Sequence, residues 1–368
     1  MALSLVSPFT VDGLKKFLSL TCHYKVSQAV HVFAELRIAD RLAHAQVDRG
    51  LTIEEILGND REQWNSQLLY RILRACVSAD IVKFVNDDKH FVLTSSGEMM
   101  TSNHPSQVRD HIVFTLGPLM TSAYQQLPKM VRGEGTGSGI ARVTDGLDLY
   151  TLLSQPEQKE FFSVFSGALT ALEMLAGNKP VTDVDFGRFK NIADIGGNRG
   201  TFLAQILQLH PTVQHGIVLE LPHVIDQHKA GEDFISRGIS PDRWSFVAGD
   251  MYDSATIPSA DAYVLKHVLH NYNDEKCVSI LSSIRQAHKE RKESSASIFI
   301  VEQIILSDGV ESNWQAHAMD VSMATIFTDA RERTENEFKE LLGESRWEFQ
   351  KLYPFQAPYS IIEGISNS

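Results

Sequence analysis

Residues Asn191–Leu203 read NIADIGGNRGTFL. A short apolar run carries an acid, Asp194, and then bends through Gly196, Gly197 and Gly200 into an apolar-striped segment. Strand, glycine-rich turn, helix is how a nucleotide-binding α/β unit begins: glycines let the backbone approach a ligand, and the helix N-terminus presents unpaired N–H groups. The spacing is Gly-Gly-x-x-Gly rather than the Gly-x-Gly-x-x-Gly dinucleotide fingerprint. By itself the bend leaves open a nucleoside-bearing cofactor, a phosphate, or a tight turn with no ligand.

Downstream the same rhythm repeats. TFLAQILQLH follows the bend; GIVLEL precedes HVIDQHKAGEDFISRG; WSFVAGD stands next; AYVLKHVL precedes DEKCVSILSSIRQAHKER; ASIFIVEQII precedes HAMDVSMATIF. β-type runs alternating with helical ones predict a mostly parallel sheet covered on both faces. The last two runs, WEFQKLYPF and YSIIEGI, are separated only by QAP, too short for a crossover, so they predict an antiparallel C-terminal hairpin.

Upstream, the chain reads as mainly helical. Lys25–Ala45 has helical apolar spacing, Thr52 with Glu55 forms a capping-box pattern, and Asn65–Val82 is another striped helix. KFVNDDKHFVLT then reads as a hairpin around Asn86, Asp87 and Asp88. Helices followed by a two-stranded ribbon predict a winged-helix module over residues 1–118. Residues 119–368 are then connector helices, with the loop RGEGTGSG and the helix PEQKEFFSVFSGALTALEMLAG, followed by the sheet domain.

The 368-residue chain has a formal net charge of -12 and 22% charged residues. An acidic chain with no basic run lacks the electrostatic footprint for nucleic acid, so the winged helix is expected to pack against a second copy. Its three cysteines, Cys22, Cys76 and Cys277, are too few and scattered for a disulfide framework or metal cluster. The start MALSLVSPFTVDGLKK lacks a signal-peptide pattern, and no apolar run is long enough to span a bilayer. The expectation is a cytoplasmic protein with no metal and no membrane contact.

Acids at strand ends narrow the ligand. Asp194, just before Gly196, would repel a pyrophosphate and suits a cationic cofactor with an amino-acid tail. Glu220 ends the second strand, where an acid bonds ribose hydroxyls. Asp250 can accept from an adenine amino group, and Met251 can lie on the ring. S-adenosylmethionine meets all four residues in turn. A nicotinamide cofactor, the redox alternative, leaves Asp194 and the antiparallel tail unexplained.

His270, in VLKHVLHNYNDEKC, follows the fourth strand at the edge where such sheets bind ligands. Methylating a phenol requires removing a proton whose ordinary pKa is about 10, and a histidine can accept it, better so if a carboxylate holds its other nitrogen. Glu302 ends the next strand, and Glu332 lies in RERT before a helix opening at Thr334. Arg331 and Arg333 read as braces for that loop, His267 as structural, and Lys266 as a cofactor contact. Met323 can face an aromatic acceptor.

These residues carry a resemblance over nearly the whole chain. ADIGGNRG, LELPHVI, AGDM, VLHNYND, IVEQ and RERT stand in the order seen in small-molecule O-methyltransferases of the plant caffeic acid/flavonoid and animal acetylserotonin types. The resemblance implies a Rossmann-like S-adenosylmethionine-binding domain with a seven-stranded sheet, plus an N-terminal dimerisation domain. It implies that Asp194, Gly196, Glu220, Asp250, Met251 and Lys266 hold S-adenosylmethionine, that His270 is the general base flanked by Glu302 and Glu332, and that Phe162, Phe165, Asn271 and Met323 line the acceptor pocket. It also implies a homodimer with Tyr24 near the partner's pocket, and S-adenosylhomocysteine as product. Four positions depart from the family pattern. Asn198 replaces a glycine, Glu220 stands where aspartate is commoner, Asn271 replaces an aspartate and Tyr272 a tryptophan. Asn198 and Asn271 keep open an alternative in which the fold serves as a binding or regulatory dimer without transfer. A further alternative keeps the enzyme and methylates nitrogen or sulfur, against which the histidine base argues.

Overall fold

The computed structural model describes residues 11–176, 179–227, 231–290, 295–306, 314–354 and 359–366. The first ten residues and the QAP linker therefore lie outside the described residues. The chain divides into two compact units. One comprises the described residues up to Gln125 together with Tyr150–Met174; the other comprises Gln126–Leu149 and the described residues from Leu175 onward.

The first unit is helical with a small ribbon. Helix α1 (Val11–Glu35) starts earlier than the apolar spacing predicts. The expected helix through Ala45 is broken, because Arg37 takes a left-handed φ of 51° and a separate short helix, Ile38–Leu42, follows. The Thr52–Glu55 capping box forms in both directions, Glu55 N–H to Thr52 Oγ1 at 3.3 Å and Thr52 N–H to Glu55 Oε2 at 2.9 Å. Helix α2 (Ser66–Ser78) buries Leu69, Leu73 and Cys76. Strands β1 (Val82–Phe84) and β2 (Phe91–Leu93) pair antiparallel as the wing, with Val82 and Phe91 inward. Phe33, Ile38, Leu57, Leu73 and Phe91 share one core. Helices α3 (Val108–Leu116) and α4 (Lys159–Ala176) complete this description, with Phe114 of α3 edge-on to Phe165 of α4 at 5.2 Å.

The second unit is built on seven strands: β3 (Asn191–Ile195), β4 (His215–Glu220), β5 (Trp244–Ala248), β6 (Ala262–Lys266), β7 (Ser297–Glu302), β10 (Trp347–Tyr353) and β11 (Ser360–Ser366), in the order β10-β11-β7-β6-β3-β4-β5. The five strands from β3 to β7 run parallel; β11 is antiparallel to both β7 and β10. The strand before each helix alternates between two apolar clusters. Ala193, Tyr263, Leu265, Ile298 and Ile300 face one way; Ile192, Val264, Phe299 and Val301 face the other. Burial on both faces explains why these strands read as unbroken apolar runs. The connecting helices include α5 (Thr201–Leu209), α6 (Asp274–Glu290), α7 (Trp314–Ile326) and α8 (Glu335–Glu344). Two-residue strands β8 (Ile304–Ile305) and β9 (Arg333–Thr334) pair in parallel, a link that the RERT loop reading did not anticipate. No described helix is long and apolar enough to cross a membrane.

Candidate active site

Strand alternation decides which side chains reach the carboxyl edge of the sheet. On β3, Asp194 is 2% exposed and sits level with Val218 and Val264 of the adjacent strands. The chain then turns at Gly196, whose φ of 71° is left-handed, and its N–H donates to the Leu219 carbonyl at 2.9 Å. Gly197 has no room for a side chain, since a Cβ there would lie 2.5 Å from the Asp194 carboxyl group. The turn thus folds its backbone directly over the acid.

Asn198 also adopts a left-handed conformation, φ 53°. Asparagine is one of the few side-chain-bearing residues that tolerate this region, so it keeps the bend a glycine would make. Its backbone N–H and that of Leu221 donate to the Glu220 carboxylate. Burial is the largest influence on Glu220 and raises its pKa above the ordinary carboxylate value, partly offset by those two donors.

Asp250 lies just past β5 and is exposed, with Oδ1 accepting from the Tyr252 N–H at 2.9 Å. Met251 packs at the edge of the same apolar cluster as Tyr272. Tyr272 is a residue the motif reading noted only as a replacement. Its hydroxyl pKa is raised, first by burial and then by the nearby Glu220 and Asp250 carboxylates, which places it with the cofactor candidates. Its ring meets Tyr252 edge-on at 6.2 Å. Lys266, ending β6, holds its ammonium over the Phe202 and Tyr359 rings at 5.6 and 5.4 Å.

Beyond β6 the chain makes a short turn, Leu269–Asn271, that presents His270 with its side chain 13% exposed. His270 Nδ1 lies 3.0 Å from Glu332 Oε1 and 3.5 Å from Glu302 Oε2. Both partners are acceptors when ionised, so in the neutral ring Nδ1 carries the proton and Nε2 is left for another group. Burial alone would lower the imidazole pKa. The Glu302 charge and then the Glu332 hydrogen bond and charge outweigh it, and the pKa is pushed up to about 9. Glu302 is fully buried, and burial raises its pKa against the opposing pull of His270.

The three groups bring potential donor atoms within 4.8 Å of one another, close enough to raise the question of a cation. Glu302 Oε1 accepts the backbone N–H groups of Val268, Leu269 and His270, while the buried Glu302 Oε2 and Glu332 Oε2 have no hydrogen-bond partner among the described residues.

His267 is left-handed (φ 54°), stacked on His270 at 5.3 Å, and edge-on to Tyr359 at 4.4 Å. Burial foremost, then Lys266 and His270, hold its pKa well below the usual imidazole value, so it stays neutral. Asn271 commits its amide nitrogen to the His267 carbonyl at 3.2 Å. Met323 of α7 is 4% exposed. Phe162 and Phe165 belong to the other unit, where Phe165 packs against Phe114 and Tyr150.

Carboxylates at Asp194 and Glu220 beside a turn folded tight by Gly196 and Gly197 fit a cationic, ribose-bearing ligand and would oppose a pyrophosphate. Fold and site together define the class, a Rossmann-like S-adenosylmethionine-dependent methyltransferase core joined to a helical N-terminal domain. The chain belongs to the O-methyltransferase family: the O-methyltransferase domain matches residues 124–348 and the O-methyltransferase dimerisation domain residues 18–103. It is 29% identical to 8-amino-8-demethylriboflavin N,N-dimethyltransferase of Streptomyces davaonensis, over 92% of this chain and 91% of that one. It is 26% identical to desmethylxanthohumol 6'-O-methyltransferase of Humulus lupulus, over 97% and 99%. The crystal structure of LaPhzM superimposes with a TM-score of 0.80 at 26% identity, covering 96% of this chain and 99% of that one.

Proposed function

We propose that this protein methylates a hydroxyl of a small aromatic acceptor, phenolic or indolic, with His270 as general base. S-adenosylmethionine, when bound, supplies an electrophilic methyl on a sulfonium. Asp194, Gly196, Glu220, Asp250, Met251 and Lys266 would hold it, with Tyr272 beside them. The single observation that carries the reading is His270 Nδ1 set between Glu332 and Glu302, which leaves Nε2 to take the acceptor's proton. The two carboxylates stabilise the imidazolium that results. Asn271 and Met323 are the proposed acceptor-lining residues of this unit.

Incubating the protein with S-adenosylmethionine and separate panels of phenols, catechols and indoles, and measuring S-adenosylhomocysteine, tests this. Release with a hydroxylated aromatic is expected. Cofactor binding with no release from any panel would instead favour the binding or regulatory reading. An amine panel belongs in the same experiment, because one relative carries the name N,N-dimethyltransferase.

The protein is proposed to work as a homodimer through its N-terminal unit. That unit matches a dimerisation domain, and α1 exposes Leu14, Phe17, Leu18 and Tyr24, with Phe17 at 69%. Light scattering on wild type and on a Phe17→Glu, Leu18→Glu variant reads this directly: a monomeric wild type at micromolar concentration removes the proposal.

A further inference from the structure

Arg333 is among the largest side chains in the chain that are wholly shielded from solvent, at 0% exposure. A buried cation is costly unless every donor is used, and replacing such a group by an apolar one is often neutral or stabilising. Stability alone therefore does not explain it. What it touches does. Nη1 donates to the Leu269 carbonyl at 3.0 Å and Nη2 to the Tyr272 carbonyl at 2.7 Å, which bracket His270. Nε donates to Asp274 Oδ1 at 2.9 Å, at the start of α6.

Its two chain neighbours grip the same turn. The Arg331 N–H donates to the His270 carbonyl at 3.0 Å, and Glu332 reaches the His270 ring. Asp320 of α7 accepts the Glu332 N–H at 2.9 Å and fixes the acid from behind. Of these three consecutive residues, Arg331 and Arg333 thus hold the main chain before His270, at it and after it, while Glu332 between them holds its imidazole.

We propose that Arg333 is a positioning residue for the base: its forked guanidinium ties the carbonyls on both sides of His270 to the segment in which Glu332 directly precedes β9, so that imidazole and carboxylate keep register. A lysine, a single point of charge on a flexible stem, cannot replace that fork. The proposal rests on the reading of His270 as the base.

The test is a double-mutant cycle on the full-length protein with S-adenosylmethionine and an accepted aromatic substrate. Arg333→Lys is expected to bind S-adenosylmethionine with near wild-type affinity in calorimetry while kcat falls by about 10²-fold, the loss that a misplacement of about 1 Å carries. In the His270→Ala background the same change should cost nothing further, since there is no base left to position. Asp274→Asn, at a carboxylate that is 51% exposed, loosens the fork without emptying the core and should give a smaller loss in the same direction. If Arg333→Lys turns over at the wild-type rate, or its loss adds in full to that of His270→Ala, the positioning role is overturned. If His270→Ala itself turns over normally, the base reading falls and takes this proposal with it, a result distinct from the first two. Should Arg333→Lys fail to fold, Asp274→Asn decides alone: full additivity with His270→Ala overturns the role and loss of effect in that background supports it.

Discussion

Glu302 holds His270 at two points: Oε1 accepts the residue's backbone N–H at 3.4 Å, and Oε2 stands 3.5 Å from its Nδ1. The same Oε1 takes the N–H groups of Val268 and Leu269, whereas Glu332 touches only the ring of His270. The two acids therefore divide the work. Glu302 builds the turn and lends its charge, and Glu332 aims the imidazole.

The base assignment predicts that His270→Ala lowers kcat by about 10²–10⁴-fold, the usual contribution of a general base. S-adenosylmethionine affinity should stay near wild type, since no cofactor candidate depends on that ring. Single-turnover rates together with calorimetry check both halves. Wild-type turnover would exclude His270 from the chemistry.

The flanking carboxylates set the pH dependence. His270 in the folded, ligand-free protein has a pKa of about 9, above its ordinary value of 6.5. A proton-accepting imidazole must be neutral, so kcat/KM for the acceptor should rise toward alkaline pH. The charged ring also stabilises the fold, fully below the unfolded pKa, and this stabilisation is lost as pH rises through about 9. Glu332→Gln removes one anion, so the imidazole gives up its proton at lower pH and the activity limb should move to lower pH. Titrating the His270 ring by NMR in both proteins tests the sign; an unmoved midpoint in Glu332→Gln contradicts it.

Much of this was legible in the sequence because it is local. Strand–helix alternation, the capping box at Thr52 and the acids at strand ends follow from spacing along the chain. Non-local pairing was not: that β11 lies between β7 and β10 is set by contacts distant in sequence. The break at Arg37 was hidden because apolar spacing continues through it. At the site, sequence placed His270, Glu302 and Glu332 together but could not assign three amide bonds to a single Glu302 oxygen. Nor could it show that Asp250 spends one oxygen on its own turn, or that Tyr272 lies close to Glu220.

Asn198 supplies the next prediction. Its φ of 53° and its N–H bond to Glu220 mean that the departure from glycine preserves the bend. Asn198→Gly should therefore leave cofactor affinity close to wild type. Asn198→Val forces a β-branched residue into the left-handed region at a cost of about 1–3 kcal/mol, and both Tm and affinity should fall. Equal cofactor binding by the valine and glycine variants would mean that the turn's conformation does not matter to the ligand.

Glu220 separates binding from chemistry. Its carboxylate is largely withdrawn from solvent and keeps two backbone donors, so it is already oriented before any ligand arrives. Hydrogen bonds to a charged group contribute about 1.5–3 kcal/mol, so Glu220→Ala should weaken S-adenosylmethionine binding by roughly 10–150-fold. At saturating cofactor, turnover should recover most of its wild-type value, because neither His270 nor its acids are touched. This is the reverse of the His270→Ala pattern, in which binding survives and turnover does not. Calorimetry giving wild-type affinity for Glu220→Ala would take the ribose contact away from β4. Loss of kcat that persists at saturating cofactor would mean that this carboxylate also orients the reacting groups.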